Sequence, residues 1–163
     1  MTKLSFAMIC GLLFLLQSSF LPFFSFGEAQ PDLWLVAAVI SVIVFDRKTA
    51  LMFAVIGGAL TDIGTGNFFG LHLFPYLVTT LATVSYVREK YHRRILVSLI
   101  FTAAASLLNM VAMWCVIWFS GTSVGVLEYG LHRAWQIIGL NVLAGIVMHH
   151  LLWSVKKEWV AKW

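Results

Sequence analysis

The chain has 163 residues and a mean hydropathy of +0.91, and only 11% of its residues are charged, against about 25% in soluble domains. That composition excludes a soluble globular domain and predicts a single-domain, all-α integral membrane protein. The net charge of +4 is no nucleic-acid signal, because the basic residues sit in connectors between apolar runs.

Six apolar segments follow one another, at about residues 4–21, 32–45, 49–63, 70–87, 95–119 and 133–155. The first is long enough to cross a hydrocarbon core of roughly 30 Å. Its apolar stretch runs on past the length of a signal-peptide core, so an uncleaved first helix is expected despite the small residues of Gly27-Glu28-Ala29. Ala7 and Gly11 form a small-xxx-small patch on it. Pro31-Asp32 opens the second segment with a proline and an acid, both suited to a helix N-terminus. This segment is short for a bilayer. It ends on Asp46-Arg47-Lys48, three charges too expensive to leave at the midplane, so the turn belongs at the membrane surface, with local thinning or snorkelling by Arg47 and Lys48 to cover the mismatch.

The third segment ends in Gly57-Gly58-Ala59-Leu60-Thr61-Asp62, a carboxylate closing an apolar run. Ala50, Ala54, Gly58 and Asp62 stand at four-residue spacing and share one helix face. The favoured reading is a small-residue packing seam ending in a polar cap; the sharper one is a site built around Asp62. Residues 64–69 read as a turn. The fourth segment carries His72, Pro75 and Tyr76 in its first two turns, and a dense basic connector follows. The fifth holds Asn109 and the sixth Gln136 and Asn141, with the two asparagines read as interhelical hydrogen-bonding glue.

With the N-terminus in the cytoplasm, ten of the eleven Lys and Arg residues, all but Arg133, fall on the cytoplasmic side. Six transmembrane helices with both termini cytoplasmic are therefore expected. Asp62, His72, Asn109 and Glu128 are then the candidates for an outer-facing pocket. No metal-ligand spacing joins these residues, and solvated or capping roles are favoured for most of them. Cys10 and Cys115 lie inside apolar runs, as buried small hydrophobes do. No CxxC, P-loop, GxGxxG or HExxH motif occurs, and no nucleophile is read with an adjacent base. The expectation is no enzyme, no cofactor and no metal.

Pro31-Asp32-Leu33 opening a short helix, the basic turn at Arg47-Lys48, and Gly58-x3-Asp62-x3-Gly66-x3-Gly70-Leu71-His72-x3-Tyr76 together resemble the rod shape-determining protein MreD family. The specific part covers about residues 31 to 94, with Pro31, Asp32, Asp62, Gly66, Gly70 and Tyr76 as the motif. Asn67-Phe68-Phe69 departs from it, where smaller residues would be expected. The resemblance implies a non-catalytic protein of the bacterial inner membrane that serves cell elongation. It would act with the bitopic MreC scaffold, the MreB filament and the peptidoglycan synthases. It also implies a fold similar to the substrate-binding subunits of energy-coupling-factor vitamin transporters, which supplies the alternative function. A scaffold would use the Ala50–Ala54–Gly58 seam for a partner helix or for its own second copy. A vitamin-binding subunit would instead use the outer-facing pocket.

Overall fold

A computed structural model describes residues 3–24, 29–66, 68–87, 94–121 and 132–160. Every element among them is helical: α1 (Lys3–Leu15), α2 (Leu33–Val44), α3 (Arg47–Thr65), α4 (Leu73–Tyr86), α5 (Ile95–Phe119) and α6 (His132–Val160). After α1 the chain stays helical but changes form, through a π turn at Leu16–Phe20 and a 3-10 turn at Leu21–Phe24. Among the described residues, three stretches are long and apolar enough to cross a membrane: Leu4–Phe23, Ile95–Phe119 and Ala134–Lys157.

The bundle is built around α2. All twelve of its residues are buried, as expected of a helix that is apolar all round but for Ser41. It packs against α3, α4, α5 and α6. At 1.5 Å per residue it is roughly 18 Å long. The sequence suggested a short span; the structure shows a helix wrapped by its own chain and capped from other helices. At its N-terminus Asp32 Oδ1 accepts from the Leu35 N–H at 3.1 Å, and the Gln17 Oε1 of the π turn accepts from the Leu33 N–H at 2.9 Å. At its C-terminus the Lys156 ammonium of α6 donates to the Val44 carbonyl. Such caps satisfy backbone groups that a helix leaves without internal partners.

The α3 helix buries Ala50, Phe53, Ala54, Gly57, Gly58 and Asp62, a stripe of helical period. Its outer face carries Met52, Val55 and Ile63. The seam Ala50–Ala54–Gly58 therefore faces inward. This corrects the partner-helix use of it, because small residues here let this chain's own helices approach. A Cβ on Gly57 would lie 2.7 Å from the Trp34 side chain of α2, and one on Gly58 only 2.5 Å from the Leu73 Cα of α4. Ala7 and Gly11 are exposed on α1, which reaches the core through Phe6, packed on Phe53 with ring centroids 4.8 Å apart.

The long helices α5 and α6 run antiparallel in a fixed register. Asn141 Nδ2 donates to Ser106 Oγ at 2.9 Å, Thr102 Oγ1 faces Gly145, and Ser98 Oγ meets His149 Nδ1 at 2.8 Å. Each step moves four residues forward on one helix and four back on the other. The two asparagines differ: Asn141 is this seam's hydrogen-bonding residue, whereas the buried Asn109 Oδ1 has no partner among the described residues.

Candidate functional site

The motif residues meet where α2 and α4 begin. The end of α3 delivers Asp62, and Gly66 in the left-handed conformation (φ 66°) stops that helix. Gly70, at φ 111°, turns the chain back. Both conformations favour glycine because no Cβ obstructs them. Helix α4 accordingly starts at Leu73, three residues later than the sequence suggested: Gly70 is not helical, and His72 is the N-cap.

Asp62 is the cap that α4 lacks. Its Oδ2 accepts from the N–H groups of Gly70 at 2.7 Å and Leu73 at 3.3 Å, and its Oδ1 from the His72 N–H at 2.7 Å. The His72 ring completes the set, with Nδ1 2.9 Å from Oδ1. That contact requires the proton on Nδ1, since a carboxylate can only accept. An ionised carboxylate offers about four acceptor positions, and here all four are taken from within the chain. The Asp62 side chain is 0% exposed and that of His72 16%, so the carboxylate is sealed and saturated. One residue of α3 thereby satisfies the start of α4, with a favourable charge at the positive end of that helix.

Asp32 does the equivalent for α2 and ties in two more helices. Besides capping Leu35, it accepts from the Tyr76 hydroxyl of α4, at 2.6 Å to Oδ2. Its own N–H donates to Asn141 Oδ1 of α6 at 2.7 Å. Asn141 continues to Ser106 on α5, whose hydroxyl donates to the Thr102 carbonyl at 2.8 Å. Gln17 closes the near side, with Nε2 3.3 Å from the Pro31 carbonyl. Five helical segments thus share one hydrogen-bonded node around Pro31-Asp32-Leu33. The rings of His72 and Tyr76 stand edge-on at 6.2 Å and bring the Asp62 cap against this node.

The motif acids and Tyr76 therefore assemble. Gly66 and Gly70 shape the turn, and Pro31 is buried beside Asp32. Of the three outer-pocket candidates among the described residues, Asp62 and His72 come together. Asn109 is buried on α5, and no hydrogen bond joins it to either of them among the described residues. Glu128 lies outside the described residues. Two contributors, Gln17 and Ser106, were not foreseen; each carried one signal, a polar group inside an apolar run. Asn141, expected as interhelical hydrogen-bonding glue, has that role here. A cleft of about 290 Å³ opens beside the node between α1 and α3, walled by Gln17, Trp34, Thr61 and Thr65 among others. Among the described residues no three His, Cys, Asp or Glu side chains gather as a metal site would require.

Chemically, this arrangement holds helices together. Each carboxylate is committed to backbone N–H groups, and among the described residues neither hydrogen-bonds a serine, cysteine or lysine side chain. No family model matches the chain, and no curated protein or solved structure shows significant similarity to it.

Proposed function

We propose that this chain is a non-catalytic membrane component of the bacterial cell-elongation machinery, of the MreD type, in the cytoplasmic membrane. The observation that carries the reading is the commitment of both motif acids to helix capping: Asp62 has four internal donors, and Asp32 joins α2, α4 and α6. The residues that support the resemblance thus have a physical task in building a rigid bundle, and that task needs no substrate. In this role the protein would present its outer surface to an MreC-type bitopic scaffold, and through it to the MreB-type filament and the peptidoglycan synthases. Purification of the tagged chain from its native membrane, combined with its depletion in growing cells, tests the proposal. The expected result is co-purification of a single-span scaffold protein and rounding of rod-shaped cells. A bound vitamin and a transport ATPase in the same preparation would replace this reading with the transporter alternative.

The proposal includes six spans with both termini in the cytoplasm. It is supported by the placement of ten of the eleven basic residues on one side. In a variant with Cys10 and Cys115 replaced by alanine, Ser120→Cys at the end of α5 should react with an impermeant thiol reagent in intact cells. Arg94→Cys, at the start of the same helix, should react only after permeabilisation. Both positions are exposed, so protection by the fold would not mimic protection by the membrane. The reverse pattern rejects this topology.

A further inference from the structure

The outward face of α3 carries a feature that neither the node nor the elongation role uses. A shallow, largely open groove of about 600 Å³ lies on it, walled by α3 alone through Leu51, Met52, Val55 and Ile56, with Asp46, Arg47 and Lys48 at its mouth. The four apolar residues fall at i, i+1, i+4 and i+5, on one helix face. Arg47 and Lys48 stand one turn before them on that same face. Met52 and Val55 are 41% and 45% exposed, and both basic residues are exposed.

The charges at the mouth are unequal in availability. Asp46 is turned to the helix, its Oδ1 accepting from the Thr49 N–H at 3.4 Å as the N-cap of α3. Among the described residues, neither Arg47 nor Lys48 has an ion-pair partner. Lys156, the basic residue that closes the end of α2, is already held by the Val44 carbonyl. Two free cations therefore stand over an apolar trough whose axis follows the helix, so whatever fits must be anionic at one end and a hydrocarbon along its length. A soluble anion would leave the trough empty, and a neutral lipid would leave the cations unanswered.

We propose that this groove is a binding site for an anionic phospholipid, with its phosphate between Arg47 and Lys48 and one acyl chain along Leu51, Met52, Val55 and Ile56. The long stems of both basic residues can lie on the apolar wall while their charged ends reach the phosphate. An arginine adds paired donors matched to phosphate oxygens, which a point charge does not. On the topology proposed above the mouth faces the cytoplasmic leaflet, where anionic lipids attract juxtamembrane basic residues. The binding itself does not depend on the elongation role.

The test is lipid binding to the purified full-length chain in neutral detergent, read by native mass spectrometry with phosphatidylglycerol or phosphatidylcholine as the probe. Phosphatidylglycerol should bind at one saturable site and phosphatidylcholine more weakly. At about fivefold per cation, the Arg47→Gln/Lys48→Gln double variant should lose roughly 25-fold in phosphatidylglycerol affinity. Val55→Trp fills the trough without changing any charge and should also weaken binding. Arg94→Gln removes an exposed cation that does not line the groove and should leave affinity unchanged. All these positions are exposed, and helicity and monodispersity of each variant confirm folding. Equal binding of the two lipids overturns the proposal. So does an unaltered affinity in Val55→Trp, or a loss in Arg94→Gln as large as in the double variant, since either result would mean diffuse attraction rather than a site.

Discussion

Asp62→Leu should cost the protein about 4 kcal/mol and leave little of it in the membrane, whereas Asp62→Asn should lose less. The reasoning starts from the three N–H groups of Gly70, His72 and Leu73 and the ring Nδ1 of His72, all aimed at one carboxylate. Leucine offers no acceptor, and each donor left unpartnered in an apolar setting costs about 1–3 kcal/mol. Rearrangement of the turn recovers part of that sum. Asparagine keeps one acceptor oxygen, but its amide places a donor against the donors that faced the second oxygen. The intermediate ranking of asparagine separates a hydrogen-bonding cap from a group whose charge is needed for proton or metal chemistry, in which asparagine and leucine would be equally harmful. The measurement is unfolding of purified protein in mild detergent together with steady-state abundance in the membrane. Equal loss of function in both variants, at normal abundance and stability, would reject the capping role.

The reach of the sequence is clearest in α5, whose extent at residues 95–119 is what the uninterrupted apolar run implies. The succession of segments was legible because charges and glycines punctuate the chain, whereas some ends were not: α4 starts three residues later than Gly70, and α6 runs on to Val160. What lies around each helix was not. A stretch such as residues 33–44, apolar but for Ser41, suits lipid and a protein interior equally well, since both are hydrocarbon, so its central position could not be read from composition. The seam on α3 suffered from the same symmetry. Small residues announce a close approach without saying whose helix approaches. The missing clue was the opposite face, where Met52, Val55 and Ile63 are exposed, as residues facing lipid can be. The node itself was beyond reach. Asp32 meets Tyr76 across 44 positions and Asn141 across 109, and no helical periodicity connects residues so far apart. Asp62 was closer to legible, because its partners begin only eight positions on, within the next turn of chain.

Replacing Gly58 with isoleucine should be at least as damaging as Asp62→Leu, and for a connected reason. Gly58 and Asp62 are one turn apart on α3, and both address the start of α4. The missing side chain at Gly58 lets the Leu73 backbone come so near that a Cβ would sit 2.5 Å from its Cα and 3.0 Å from its nitrogen. A backbone atom cannot rotate aside, as the end of a flexible side chain can. Helix α4 would have to move outward, and it would carry the Gly70, His72 and Leu73 N–H groups away from Asp62. Overpacking alone costs about 1–3 kcal/mol, and the broken cap adds to it, for a total of roughly 4 kcal/mol or more. Ala54→Ile, at a position with 0% exposure, should show the overpacking cost without the loss of the cap. Gly11→Ile is the matched control: nothing lies within 4 Å of its added Cβ, so it should stay within about 0.5 kcal/mol of the unsubstituted protein. Insertion, abundance and unfolding measured side by side decide the matter. A Gly58→Ile protein that is abundant and stable but has lost a membrane partner would mean that the seam faces outward after all.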